Sequence, residues 1–160
     1  REGRLVWTSA AIIGKPYRAT PVFRSEMTYL VLNPTWTVPP TILAQDILPA
    51  QRRDRAYLDR KGIQVVDRNG RVVPSARIDW ASASPERFPY RLVQQPGPDN
   101  ALGRVKFMFP NAYSVYLHDT PARELFAKSE RAFSSGCIRV ARPLELVALL
   151  LDDQPGWDAA

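Results

Sequence analysis

Proline does most to limit what this chain can build. Fifteen prolines are spread through 160 residues, and a residue that fixes φ and lacks an N–H stops helices and is confined to the margins of sheets. Gly14, Pro16, Pro21 and Pro34 cut the first forty residues into short pieces. Within them apolar and polar residues alternate, as in Leu5-Val6-Trp7 and Met27-Thr28-Tyr29-Leu30-Val31-Leu32. Strands and hairpins are the expected outcome. Pro39-Pro40 opens a short helix over Thr41 to Leu48 that Pro49 ends, and a second helix over Arg53 to Lys61 takes Gly62 as its C-cap. Ile63-Gln64-Val65-Val66 and Arg71-Val72-Val73 flank Asn69-Gly70, a dipeptide suited to a tight hairpin turn. From Pro74 to Pro98 the chain is rich in Pro, Ser and Asp and shows little periodicity, so residues 50–100 read as an insertion packed loosely on the main sheet.

Two strands are expected at Arg104 to Phe109 and Tyr113 to His118. In the second, the period of two sets Val115 and Leu117 on a core face and Ser114, Tyr116 and His118 on the other. Thr120-Pro121 looks like the cap and first residue of a helix through Glu124, Leu125 and Phe126. Pro143 opens a last helix with an apolar stripe of Leu144, Val147, Leu150 and Leu151. Mainly β with peripheral helices is the fold class that follows.

A hydrophobic content of 45% and a charged content of 24% are those of a globular chain. No apolar run approaches the ~18 residues a membrane span needs. The chain begins at Arg1 without a basic n-region or an apolar h-region, so a leader, anchor or upstream domain is expected to have been removed. The net charge of +6 favours an anionic surrounding or simply a solvated basic surface. Its arginines are scattered (Arg52, Arg53, Arg55, Arg60, Arg68, Arg71) with no nucleic-acid-reading motif, so nucleic acid is a weak partner.

There is one cysteine, Cys137, and one histidine, His118. That count excludes Cys/His metal centres and intramolecular disulfides. Cys137 lies in Ser134-Ser135-Gly136-Cys137-Ile138-Arg139-Val140, where a glycine lets the backbone bend ahead of the sulfur. Thiolate rather than thiol attacks acyl groups, so a nucleophilic cysteine needs a neighbour that lowers its pKa or takes its proton. His118 is the imidazole available. The plain alternative is a buried thiol and an unrelated surface imidazole. Tyr116 shares the His118 face and could donate to an oxyanion, and Arg139 shares the Cys137 face if that stretch is extended.

The stretch from Tyr116-Leu117-His118-Asp119-Thr120-Pro121 to Ser134-Ser135-Gly136-Cys137-Ile138-Arg139-Val140 resembles the signature of the YkuD family of L,D-transpeptidases. Upstream, residues 33–40, Asp46 to Pro49, Gln95 to Pro98, Asn100 and Leu102 to Phe107 are similar to the larger proteobacterial periplasmic members, which carry a capping insertion. Where many members have a histidine before the glycine, this chain has Ser135, which leaves His118 without a competitor as base.

The resemblance implies a β-sandwich-like catalytic domain of residues 1–49 and 101–160, with an inserted α/β capping subdomain at 50–100 that closes over the substrate. It implies cysteine acyl transfer: attack on the L-to-D amide of a tetrapeptide stem, release of D-Ala, and capture of the thioester by a diaminopimelate amine of a second stem, giving a 3→3 peptidoglycan cross-link. Cys137 would be the nucleophile and His118 the base. Tyr116 and the Gly136 and Cys137 amides would serve as oxyanion donors, and a carbonyl near Asp119 would orient the imidazole. Arg139, Ser134 and Ser135 would contact substrate. Neither cofactor nor metal is implied; carbapenems are the implied covalent inhibitors and the Gram-negative periplasm the implied location. Hydrolysis by the same pair, as an L,D-carboxypeptidase or cysteine peptidase, and a non-catalytic wall-binding module are the competing readings.

Overall fold

In the computed structural model, residues 3–157 are described. Ten short strands are formed among them: β1 (Ala11–Gly14), β2 (Tyr29–Leu32), β3 (Trp36–Thr37), β4 (Ile63–Val66), β5 (Val72–Val73), β6 (Arg91–Gln94), β7 (Val105–Met108), β8 (Leu117–His118), β9 (Ala132–Ser134) and β10 (Ile138–Val140). They make two sheets with few helices, a mainly β fold. The chain divides into two compact units, one of Arg1–Leu32 with Leu102–Ala160 and one of Asn33–Ala101.

The first unit carries the six-stranded sheet β2-β7-β8-β10-β1-β9. Strand β7 is antiparallel to β2 and β8, β8 runs parallel to β10, and β1 is antiparallel to β10 and parallel to β9. Alternation in β7 buries Val105 and Phe107 while Lys106 and Met108 face the other way. Val105 and Phe107 join Val140, Leu146 and Val147, with Leu117 and Ile138 packed alongside. The last helix, Pro143–Leu151, closes this core. Its buried face is Pro143, Leu146 and Val147, whereas Leu144 and Leu150 of the expected stripe are 41% and 40% exposed. A run apolar at almost every position has no unique phase, so contacts with the sheet choose it.

Between β7 and β8 the chain is not a strand up to residue 116. Asn111 Oδ1 accepts from the Tyr113 and Val115 N–H groups, its Nδ2 donates to the Phe109 and Val115 carbonyls, and Ser114 adopts φ +56°. After Thr120-Pro121 the helical turn is a 3₁₀ segment, Arg123–Ala127.

The second unit holds the four-stranded sheet β3-β6-β4-β5 over a core that includes Leu48, Leu58, Val65, Trp80 and Leu92. Strand β6, inside the stretch read as irregular, is a central strand paired with both β3 and β4. The helical segment also runs on past Pro49. Pro40–Ile42 leads into a π turn, Leu43–Ile47, and then Leu48–Arg53. The wider turn changes the hydrogen-bond register just where a proline without an N–H must be fitted. Between β4 and β5 the turn is organised by Asp67, whose Oδ1 accepts from the Asn69 and Arg71 N–H groups.

Candidate active site

Register in the first unit brings the chemical residues to one place. His118 stands opposite Lys106 on β7 and opposite Arg139 on β10. Two positions back along the same register Cys137 falls beside Tyr116, where the Ile138 N–H donates to the Tyr116 carbonyl at 3.1 Å. Paired residues share a face, so Lys106, Tyr116, His118, Cys137 and Arg139 lie on the face opposite Phe107, Leu117, Ile138 and Val140. Cys137 and His118 are diagonal neighbours on adjoining strands, a relation that sets backbones ~7–8 Å apart and within side-chain reach.

The turn before the sulfur is held from inside. Ser134 Oγ accepts from the Gly136 N–H at 3.1 Å and donates to the Cys137 carbonyl at 2.6 Å. Gly136 adopts φ +119°, a conformation that disfavours a side chain. The N-terminal segment clamps the same turn: Thr20 Oγ1 donates to the Gly136 carbonyl at 2.8 Å and accepts from the Gly14 N–H at 2.9 Å. Ser134 is 2% exposed, so its hydroxyl shapes the turn and is not offered to a substrate, contrary to the expectation from sequence. The Gly136 amide, expected as an oxyanion donor, is likewise engaged by Ser134. Ser135 is exposed and accepts from Arg18 at 2.7 Å. Ser134→Ala strands a buried N–H and a carbonyl, and is expected to lower stability by about 1–3 kcal/mol in urea titration while slowing any reaction of the thiol.

His118 is 4% exposed. Its Nδ1 is hydrogen-bonded to the Asp119 backbone carbonyl. A carbonyl only accepts, so Nδ1 carries the proton and Nε2 of the neutral ring has the lone pair. The Asp119 carboxylate points elsewhere, accepting from the Arg104 N–H at 3.0 Å and from the Arg123 guanidinium at 2.9 Å. Gly103, at φ +61°, makes room for it: a Cβ there would stand 2.5 Å from that carboxyl group. Asp119 thus anchors the end of β8 and presents its carbonyl to the ring.

Burial drives the imidazole pKa down to about 4, helped by the positive charge of Arg139 and opposed by the Asp119 carbonyl. Burial also pushes the Cys137 thiol up, with the Tyr116 N–H and hydroxyl and the charges of Lys106 and Arg139 pulling the other way. Both groups rest neutral at pH 7. The sulfur donates weakly to the Ser114 carbonyl at 4.0 Å.

Two features were not foreseen from sequence. Lys106 lies with its ammonium 4.0 Å from the centroid of the Tyr116 ring, a contact worth about 0.5–2 kcal/mol. The Tyr116 ring in turn sits 5.6 Å from that of His118. A lone lysine in a strand carries no signal until the strands are in register. Arg139 is largely buried, and its Nε has no hydrogen-bond partner among the described residues. No cluster of three or more His, Cys, Asp or Glu suited to a metal occurs among the described residues.

The sequence matches the YkuD family, described as the L,D-transpeptidase catalytic domain, over residues 1–155. It is also 41% identical over 157 residues to a Haemophilus influenzae protein whose name assigns it provisionally to the L,D-transpeptidases. That alignment covers 98% of this chain and 32% of the relative, so the chain spans about a third of the relative's length. With a mainly β fold and a match along nearly its whole length, the chain belongs to the YkuD L,D-transpeptidase catalytic domain family.

Proposed function

We propose that the chain is a cysteine acyltransferase acting on peptidoglycan stems, in which Cys137 attacks the L-to-D amide of a tetrapeptide and D-Ala leaves. The observation that carries this reading is the shared face of Cys137 and His118 on adjoining strands, with Nδ1 held by a carbonyl and Nε2 left with its lone pair.

Because both groups are neutral at rest, the imidazole acts as a general base in step with attack and not as the partner of a standing thiolate. As the Cys137 Sγ bonds to the carbonyl carbon, its proton passes to Nε2. The oxyanion takes hydrogen bonds from the Cys137 amide and the Tyr116 hydroxyl. Collapse breaks the C–N bond, and the imidazolium gives its proton to the departing D-Ala amine. A diaminopimelate side-chain amine then attacks the thioester, losing its proton to His118, and the 3→3 amide forms as the thiol is restored. Arg139, with a buried and unsatisfied Nε, is suited to a stem carboxylate. This reading goes with a place in the cell envelope, the Gram-negative periplasm being the location proposed. No helix among the described residues is long and apolar enough to cross a membrane.

Incubation with purified tetrapeptide stems, followed by mass analysis, tests the reading: cross-linked dimers with loss of D-Ala are expected. Tripeptides alone would replace transfer by hydrolysis, and no product together with no carbapenem adduct on Cys137 would reject the enzyme.

A further inference from the structure

Between β7 and β10 lies one strand, β8, so a side chain on β7 must cross ~10 Å of sheet to influence the sulfur. Lys106 does this by leaning across β8. It starts opposite His118 but its ammonium rests 4.0 Å from the Tyr116 ring centroid, two residues back on the same face, on the aromatic that neighbours Cys137. An extended lysine on a strand face could point freely into solvent; this one is half-buried and held against a ring.

We propose that Lys106 is the positioning residue that supplies the counter-charge to the Cys137 thiolate when His118 takes its proton, with the Tyr116 ring as the cradle that fixes the ammonium. The inference rests on the acyl-transfer reading of Cys137 and adds to it the source of charge stabilisation. The electrostatics agree in both directions. Burial lowers the Lys106 pKa and the negative charge of ionised Cys137 raises it; the Lys106 charge in turn favours ionised Cys137. The other groups facing this sulfur are Tyr116, His118 and Arg139, and of the two cations Arg139 lies two residues along the sulfur's own strand. A tyrosine that donates to the sulfur while its ring carries a cation is a better donor, so Lys106 also strengthens the Tyr116 contact.

The single cysteine makes the test clean. The rate of alkylation by iodoacetamide is measured from pH 5 to pH 10 on wild type, Lys106→Met, Lys106→Gln and Lys106→Arg. Loss of the charge is expected to slow the reaction about tenfold at neutral pH and to move the pH midpoint upward, equally in Met and Gln. Arg is expected to recover most of the rate. An unchanged midpoint in folded Lys106→Gln overturns the proposal, as does failure of Arg to recover a rate that Met and Gln both lose, which marks packing and not charge. Stem-peptide turnover separates this from the broader reading. A wild type that forms no acyl-enzyme fails as a transferase whatever the alkylation profiles show, whereas an active wild type with profiles indifferent to residue 106 rejects Lys106 alone.

Discussion

Cys137→Ser is expected to lower turnover of tetrapeptide stems by about four orders of magnitude or more, and His118→Gln by about two to four. The two losses differ in origin. Serine keeps the position but replaces a thiol by a hydroxyl several pKa units weaker as an acid, and a neutral buried imidazole with a pKa near 4 is a poor base for it. Glutamine removes the ring and with it the basic nitrogen at Nε2, leaving an amide that cannot take up the thiol proton. Residues that act as a unit are not additive, so the double variant is expected to be no slower than Cys137→Ser by more than a few fold. Initial rates by chromatography check this; a double variant slower by the product of both losses would separate the two side chains. In wild type, kcat/KM is expected to hold level from neutral pH down to about pH 5 and to fall toward pH 4, where the ring takes its proton.

Acid is expected to cost the fold as well. His118 titrates near 6.5 when free and at about 4 in place, so between those values the unfolded chain binds the extra proton. Stability contributed by the neutral ring is complete above pH 6.5, declines as pH falls, and is gone below pH 4. At 1.36 kcal/mol for each factor of ten, the loss is about 3 kcal/mol. Urea titrations at pH 7 and pH 4 measure it: wild type loses about 3 kcal/mol more than His118→Gln across that interval, the variant acting as reference for every other titrating group. Equal losses would place the ring in contact with water.

Which residues come together was easier to read from sequence than the architecture around them. Of the expected core face, Val115 is buried and Leu117 packs beside Val105 and Phe107, but His118 on the other face is buried too, so burial along this stretch does not alternate. What was hidden depends on pairings between distant segments. Lys106 faces the sulfur only once β7, β8 and β10 are aligned, and Thr20 reaches Gly136 across the length of the chain. Ser134 was assigned to substrate because a hydroxyl near a nucleophile is ambiguous until its partners are known. The helix through Pro49 ran past a residue that ordinarily stops helices, by way of a π turn, and β6 lay between prolines with too few residues to show a period.

Thr20 lies 116 residues before the Gly136 whose carbonyl it holds, so the clamp is synthesised well ahead of the turn it closes on. Until residues 11–20 meet residues 132–140, the turn ahead of the sulfur lacks its outer clamp. On the acyl-transfer reading, the reactivity of Cys137 is expected to appear only once that contact across the chain has formed.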